Sequence, residues 1–576
     1  MKILLTAINS KYIHSNLAVY SLRAYANEYA EHIMIKEYTI NHQTDYILQE
    51  IYKNKPDVIA FSCYVWNVEY IKELIVELAK ILPQCPIWLG GPEVSYNAVS
   101  FLESHTSVKG IVVGEGEKTF HQVVRHYVTK EIEIDEITGI VYRTLEGEII
   151  EKASCQLLHM DEMPFAYKDI AEFENRIIYY ETSRGCPFSC SYCLSSIDKR
   201  VRFRSVELVK EELQFFLDNK VKQVKFVDRT FNCQHKHAME IWRYIKERDN
   251  GITNFHFEVS ADILNREEIE LLSTFRPGLI QLEIGVQSTN EQTIHEINRT
   301  MNINKLSKIV MELNGKQNIH QHLDLIAGLP HEDFESFQKS FNQVYALEPE
   351  QLQMGFLKVL KGSKMHEKVQ EYELEYRSKP PYEVLCTKWL TYEEVLELKA
   401  IEEMVEVYYN SGQFYNTIRH LVKNFETSFQ LYQSLAAYYE KEGLNNRSHS
   451  RVKRYDILLE FVKEYVSEKV EFFRELLIYD LYLREKMKSR PQWANEQSEY
   501  KDEIRNFYIR EEQMLEYLKD YQEYTYKQLA KMTHIEYFTH NLKENGEKGQ
   551  FFILFDYKRR NPLSYAAETK LVPVLL

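Results

Sequence analysis

The sequence predicts an α/β fold in three parts: a doubly wound parallel sheet, a partial barrel of six strand–helix repeats, and a mostly helical final part. Three observations carry this reading. Short apolar runs of strand character alternate with amphipathic helical stretches over residues 1–135, the alternation resumes over 176–375, and from 376 to 576 apolar residues recur at helical spacing among many Tyr, Leu, Glu and Lys. Strands of five or six residues separated by helices pair in parallel, because each helix is the crossover that returns the chain to the same end of the sheet.

In the first part the strands are "KILLTA", "IMIKEY", "DVIAFS", "PIWLGG" and "GIVVGEGE", and the helices fall near 15–30, 43–53, 67–82, 94–104 and 117–129. Ligands of such sheets sit beyond the carboxyl ends of the strands. There the sequence places Ser62, then Gly90 and Gly91, then Gly114, Glu115 and Gly116. Glycine lets a flat ligand approach the backbone, and helix N-termini offer unpaired N–H groups. Glycines alone serve tight turns equally well, and the full G-x-G-x-x-G pattern is absent. A connector over 136–175 contains the hairpin-like "TGIVYRTLEGEIIEK" and a turn at "MDEMPFAYKDI". The second part has strands near 177–182, 223–228, 255–260, 281–286, 321–327 and 352–359, and repeats of this kind curl into a full or partial barrel whose active face is again the carboxyl ends. The polar residues at those ends are Asp228, Glu258, Gln287, Ser288 and Asp324. His320 and His322 alternate along the fifth strand and so share one face. The third part closes on strand-like "HIEYFTHNL" and "GQFFILFDYKRR", and its share of the 41 tyrosines reads as helix packing.

Composition narrows the function classes. Over 576 residues, 44% hydrophobic and 27% charged residues exclude a disordered chain. No apolar run approaches the roughly 18 to 20 residues of a membrane span. The N-terminal "MKILLTAINSKYIHSN" turns polar too soon for a signal peptide, so the expectation is a cytoplasmic protein with no membrane partner. A formal net charge of -15 works against nonspecific attraction to nucleic acid. Eight cysteines are too few for a disulfide framework in a chain this long. Cys63, Cys85, Cys155, Cys233 and Cys386 are scattered and read as ordinary thiols, whereas Cys186, Cys190 and Cys193 crowd into "ETSRGCPFSCSYC".

That loop is a metal-binding pattern short of one ligand. A structural zinc site needs a fourth Cys or His close by, and no second C-x-x-C pair exists. A redox dithiol would use Cys190 and Cys193 and leave Cys186 idle. The C-x-x-x-C-x-x-C spacing after a barrel strand suits three corners of a cubane iron–sulfur cluster whose fourth iron stays open to a ligand.

"RGCPFSCSYC" resembles the cluster loop of the radical S-adenosylmethionine (SAM) superfamily, including the aromatic Tyr192 before the last cysteine. "VKFVDRTF", "FHFEVSADIL", "LEIGVQS", "LDLIAGLPHED" and "MGFLKVLKGSKM" match that family at successive strand ends. The resemblance implies a partial (β/α)6 TIM-like barrel in which Cys186, Cys190 and Cys193 hold a 4Fe-4S cluster. SAM would chelate the fourth iron, with Tyr192, Asp228, Glu258, Gln287 and Ser288 as candidate contacts. The family's G-G-E motif is replaced here by "VDRTF". The first part resembles the Rossmann-like cobalamin-binding domains that precede many such enzymes, through "GGPEVS" and "VVGEGE", which makes Ser62, Gly90, Gly91, Gly114, Glu115 and Gly116 candidate cobalamin contacts. The D-x-H-x-x-G motif that supplies a lower cobalt ligand in the methionine-synthase class is missing: His14 in "KYIHSNLA" lies in the corresponding loop, with Tyr12 where the Asp would be. The third part resembles an uncharacterised C-terminal extension of a subset of these enzymes.

The function so implied is reductive cleavage of SAM to a 5'-deoxyadenosyl radical and cobalamin-dependent methylation of an unactivated carbon. It needs an external one-electron donor such as flavodoxin or ferredoxin and takes a small-molecule or peptide substrate. Two other readings stand beside it. One is a cobalamin-independent radical SAM enzyme performing rearrangement, methylthiolation or RNA modification. Methylthiolation would want a second cysteine triad near the N-terminus, and Cys63, Cys85 and Cys155 are too far apart for one. The other is a non-catalytic iron–sulfur or cobalamin-binding sensor or electron carrier, for which polar strand ends and an open iron are superfluous.

Overall fold

In the computed structural model, which describes residues 1–152, 157–542 and 546–573, seven strands form the N-terminal sheet. They are β1 (Ile3–Asn9), β2 (Ile33–Thr39), β3 (Val58–Ser62), β4 (Ile87–Gly90), β5 (Val108–Val112), β6 (Ile140–Arg143) and β7 (Ile149–Glu151), in spatial order β2-β1-β3-β4-β5-β6-β7. The first five pair in parallel, as their helical crossovers require. β1 and β3 are buried along their whole length, the mark of strands covered on both faces. The covering helices are α1 (Leu17–Tyr25), α2 (Thr44–Lys53), α3 (Val68–Ile81), α4 (Pro92–Ser95), α5 (Ala98–Ser104) and α6 (Glu117–Val128). α1 packs with α6 and α2 with α3. In α3, Val68, Ile71, Leu74, Ile75 and Leu78 recur at three- and four-residue steps and are all buried. The hairpin expected in the connector belongs to this sheet: β6 pairs antiparallel with β5, and β7 with β6. The order 2-1-3-4-5 puts the topological switch point between the ends of β1 and β3.

All six barrel strands occur where the alternation places them. β8 (Ile178–Tyr180) leads into a two-stranded ribbon, β9 (Ser183–Arg184) and β10 (Arg202–Phe203), whose connection is the cysteine loop. β11 (Gln223–Phe226), β12 (Asn254–Val259), β13 (Ile280–Gln287), β14 (His320–Ala327) and β15 (Gln351–Phe356) follow. β8, β11, β12 and β13 pair in parallel in that order, and beyond the last two strands Leu357 N–H donates to the Ala327 carbonyl at 2.9 Å. Val224, Phe226, Phe255, Phe257, Leu282 and Ile284 are fully buried. The residues alternating with them, Tyr179, Lys225, His256, Glu258 and Glu283, occupy the opposite face of the strands. His320 and His322 share a face of β14, and Asp324 lies inside that strand rather than at its end.

By compactness the chain divides into two units, one of residues 1–319, 326–336 and 355–392, the other of 320–325, 337–354 and 393–576. The first unit holds the N-terminal sheet together with the cysteine loop and extends past residue 375, taking in the ribbon Glu375–Tyr376 and Val384–Cys386. The second is mostly helical, from Ser428–Lys441 through Arg451–Tyr465, Val470–Arg484 and Lys501–Met514, and ends in an antiparallel sheet of Thr533–His540, Lys548–Arg560 and Ala567–Leu571. Two of those strands lie in the expected runs and the third, "AETKL", does not. Tyr408, Tyr432, Tyr439, Tyr455, Tyr482 and Tyr521 are fully buried, so tyrosine here is packing material. Two buried carboxylates tie distant backbone in this unit: Asp480 accepts from Asn416 and Thr417, and Glu475 from Thr539 and His540.

Candidate functional site

The cysteine loop is built by backbone bonds before any ligand enters. Gly185 turns at φ +92, and a Cβ there would stand 2.6 Å from the Arg200 carbonyl oxygen, so glycine is required. Cys186 N–H donates to Asp198 O at 3.1 Å, Cys193 N–H to Cys190 O at 3.2 Å, and Ser196 Oγ to both Cys190 O and Cys193 O at 2.9 and 2.7 Å. Ser191 is held from both sides, its N–H on Ile297 O and its carbonyl receiving Met365 N–H. All three cysteines are free thiols, Cys186 and Cys190 buried and Cys193 half-buried. Burial pushes the Cys186 thiol up, and the neighbouring Cys193 and Cys190 add to that. Three clustered thiols with no fourth cysteine in the loop fit a cluster with one open iron.

A cation stands behind the loop. Arg299 Nη1 points at Cys190 Sγ at 3.7 Å and donates to the Tyr192 hydroxyl at 3.3 Å, while Nη2 donates to the Gly285 carbonyl. Sequence reasoning missed Arg299, which follows the helix Glu291–Glu296 in "NRTMN" and carries no motif of its own.

The candidate SAM residues separate by what already engages them. Asp228 is fully buried and accepts Thr182 N–H at 3.0 Å, Thr182 Oγ1 at 2.6 Å and Ser183 Oγ at 2.6 Å, so it fixes the chain entering the cysteine loop. Burial raises its pKa to about 6 against the pull of those donors. Ser288 donates to Glu332 Oε1 at 2.6 Å and accepts Asn290 N–H. Gln287, the last residue of β13, is held at φ +72, and its buried Oε1 has no hydrogen-bond partner among the described residues. An orphaned buried acceptor at a strand end is the residue best placed to take a donor from a bound ligand. Glu258, half-buried on β12, sits beside Glu283 of β13. Burial alone would raise the Glu283 carboxyl, but His256 at 3.0 Å and Lys225 at 2.9 Å outweigh it and hold it at about 2.

The candidate cobalamin residues lie together at the carboxyl ends of β3, β4 and β5. Gly91 adopts φ +112, and a Cβ there would come within 2.4 Å of Cys63 O; Gly114 adopts φ +79 with open space where a Cβ would be. Such a glycine-lined edge fits a flat macrocycle. Glu115 is otherwise committed: its carboxylate takes Arg202 and lies 3.5 Å from Arg184. Burial works to raise its pKa and the two arginines bring it below the usual range. His14, in the loop after β1, is bonded through Nδ1 to the Tyr179 hydroxyl. Among the remaining thiols, Cys63 is buried in the N-terminal core, Cys85 and Cys386 are half-buried, and burial pushes Cys233 up to about 11. Cys155 lies outside the described residues.

The fold and the site define a class: a glycine-edged doubly wound domain followed by a partial barrel with a three-cysteine loop. The family models agree with it part by part. Residues 3–124 match the B12 binding domain, 180–344 the radical SAM superfamily, and 370–555 a family described as protein of unknown function (DUF4080). The chain thus combines a region matching the B12 binding domain, a radical SAM region and a DUF4080 region, and the first two imply cobalamin and a 4Fe-4S cluster with SAM as cofactors. It is 24% identical over 341 residues to the cobalamin-dependent radical SAM methyltransferase TokK of Streptomyces tokunonensis, covering 56% of this chain and 50% of that protein. It is 25% identical over 267 residues to the hopanoid C-3 methylase of Methylococcus capsulatus, covering 45% and 50%. The chain thus spans about half the length of the curated relatives it matches. Among solved structures, the cobalamin-dependent SAM radical enzyme OxsB superposes with a TM-score of 0.57 at 16% identity over 83% of each chain. The radical SAM methyltransferase TsrM of Kitasatospora setae gives 0.53 at 15% identity over 66% of this chain and 82% of that one. These likenesses establish the fold. No helix among the described residues is long and apolar enough to cross a membrane.

Proposed function

We propose that this protein is a cobalamin-dependent radical SAM methyltransferase that methylates an unactivated carbon of a small-molecule or peptide substrate in the cytoplasm, drawing electrons from a flavodoxin- or ferredoxin-like donor. The observation that carries the reading is the presence, in one compact unit, of a three-thiol loop and a glycine-lined carboxyl edge. A relative named as a cobalamin-dependent radical SAM methyltransferase and another named as a methylase support it. When bound, the cluster supplies the electron that splits SAM and cobalamin supplies the methyl group. The chain's own residues do the rest. Cys186, Cys190 and Cys193 are the cluster ligands, and Arg299 neutralises part of the charge that accumulates at Cys190. Asp228 acts through Thr182 and Ser183 as a positioning residue that sets the start of the loop. Gln287 offers its unfilled Oε1 to a donor on SAM, and Ser62, Gly90, Gly91, Gly114 and Gly116 shape the edge on which the corrin lies.

The test uses full-length protein purified without oxygen and reconstituted with iron, sulfide and hydroxocobalamin. After SAM and reductant are added, 5'-deoxyadenosine and S-adenosylhomocysteine are measured by mass spectrometry and cobalt is counted in the same sample. Both products with bound cobalt are expected. Deoxyadenosine without cobalt would keep a radical enzyme and remove the methyltransferase, and a cluster that SAM leaves spectroscopically unchanged would remove the enzyme altogether.

A further inference from the structure

The ribbon that carries the cysteine loop is fastened to the turn after β5 by a lattice of buried charge. Arg184, the last residue of β9 and two before Cys186, places Nη2 at 2.5 Å and Nη1 at 3.2 Å from the two carboxylate oxygens of Glu117. Its Nε lies 3.0 Å from both oxygens of Glu181, and Nη1 stands 3.5 Å from Glu115. Directly across the ribbon from Arg184, Arg202 grips both oxygens of Glu115, with Nη1 at 3.1 Å from Oε2, and also donates to the Leu158 carbonyl at 2.7 Å. The side chains of Arg184 and Glu117 are 16% and 7% exposed, so this pair is screened little by water or salt. Burial works against the Arg184 charge, and Glu181 and Glu117 outweigh it.

The two ends of the lattice are different devices. At one end, Arg184 and Arg202 bracket the cysteine loop in the ladder. At the other, Glu115 and Glu117 alternate with Gly114 and Gly116 in the turn that opens α6. Forked arginine–carboxylate pairs fix orientation as well as separation, so the ribbon that carries the cysteine loop and the turn that opens α6 are held in one defined relation. We infer that this lattice couples the two cofactor sites, with Arg184 and Arg202 as positioning residues: ordering the loop by cluster assembly presets the turn for the corrin, and the corrin in return favours the cluster. The inference rests on the function proposed above. Reciprocity follows from thermodynamic linkage, since each cofactor must shift the affinity for the other by the same factor.

The test is a titration of hydroxocobalamin, followed by its visible absorbance, into the anaerobic full-length protein with and without the reconstituted cluster. The wild-type chain is expected to bind hydroxocobalamin at least about fivefold more tightly when the cluster is present. Glu117→Gln is expected to bind it still but to bring the ratio of the two dissociation constants close to one. Arg202→Lys, which keeps the charge and loses the fork, should give an intermediate ratio and serves if Glu117→Gln does not fold. A wild-type ratio of one, or an unchanged ratio in both variants, overturns the coupling and leaves the proposed function standing. Absence of cobalamin binding both with and without the cluster in the wild-type protein overturns both.

Discussion

The Tyr179 hydroxyl lies 2.6 Å from Nδ1 of His14, and this bond joins the loop after the first strand of the doubly wound sheet to the first strand of the barrel. The backbone repeats the connection: Ile177 N–H donates to Ile13 O at 2.8 Å, and Ser15 Oγ to Ile177 O at 2.8 Å. The loop that carries His14 is here used to hold two domains together.

Tyr179→Phe removes this hydrogen bond and leaves a half-buried imidazole nitrogen without its partner. A loss of about 1 to 2 kcal/mol in folding stability is expected from urea denaturation at neutral pH. His14 is held below its ordinary 6.5, by burial first and then by Lys11 and Lys225. The unfolded chain therefore binds the proton more readily, so the contribution of this site is full above pH 6.5 and falls as the pH drops below it. Identical stability and pH profiles for wild type and Tyr179→Phe would show that the bond contributes nothing.

Asp228 titrates in the opposite sense. Its pKa is raised from 3.8 to about 6 by burial, so the stability it contributes is full below 3.8 and is lost as the pH rises through 6. The loss amounts to about 3 kcal/mol by linkage. Asp228→Asn removes that slope, but its amide cannot accept all three donors from Thr182 and Ser183, which costs about 1 to 3 kcal/mol for the orphaned group. The wild-type advantage over Asp228→Asn should therefore shrink between pH 3.8 and 6, measured by chemical denaturation at several pH values. A constant difference would mean that the carboxyl titrates normally.

Local pattern explains what could be read from the sequence, and pairing across the chain explains what could not. β11, β12 and β13 fall within two or three residues of their expected limits because strands buried on one face and flanked by helices show both periods in the sequence. Cys186, Cys190 and Cys193 stand out in the sequence because candidate metal ligands cluster at fixed spacing. Arg184 stands in the same quoted stretch, yet its partner Glu117 is 67 residues away, and no spacing rule links them. The hairpin of β6 and β7 was visible as a hairpin, but the edge it joins is a property of β5, not of its own residues. Glu115 is a candidate cobalamin contact through the likeness of the "VVGEGE" turn, and no spacing in the sequence shows that the arginines pairing with its carboxylate lie beyond residue 180.

Arg299 should tune the cluster through charge. A guanidinium beside Cys190 stabilises the more negative, reduced state, so Arg299→Met is expected to lower the midpoint potential by roughly 60 mV, a tenfold weaker electron affinity for a one-electron couple. Potentiometric titration followed by electron paramagnetic resonance reads this directly. Arg299→Lys should recover part of the shift, since it restores charge without the fork to Gly285. A potential unchanged in Arg299→Met would assign the residue to packing alone.

Gly91 offers the sharpest test of the corrin-binding edge. Its φ of +112 is strained for any residue with a Cβ, and that Cβ would stand 2.4 Å from Cys63 O, a backbone atom that Cys63 N–H bonding to Gly90 O holds in place. Gly91→Ala must therefore move the turn between β4 and α4, at a cost of about 1 to 3 kcal/mol. Hydroxocobalamin affinity is expected to fall by roughly five- to 150-fold if that cost is carried into binding, whereas iron content after reconstitution should stay at the wild-type level because the cysteine loop is built by other residues. Gly114→Ala, at φ +79 but facing open space, separates backbone strain from steric blockade: it should destabilise the turn less and weaken cobalamin binding less. If Gly91→Ala lowered iron and cobalamin together, the substitution would have unsettled the whole unit. If it lowered neither, the β4 turn would not be where the corrin rests.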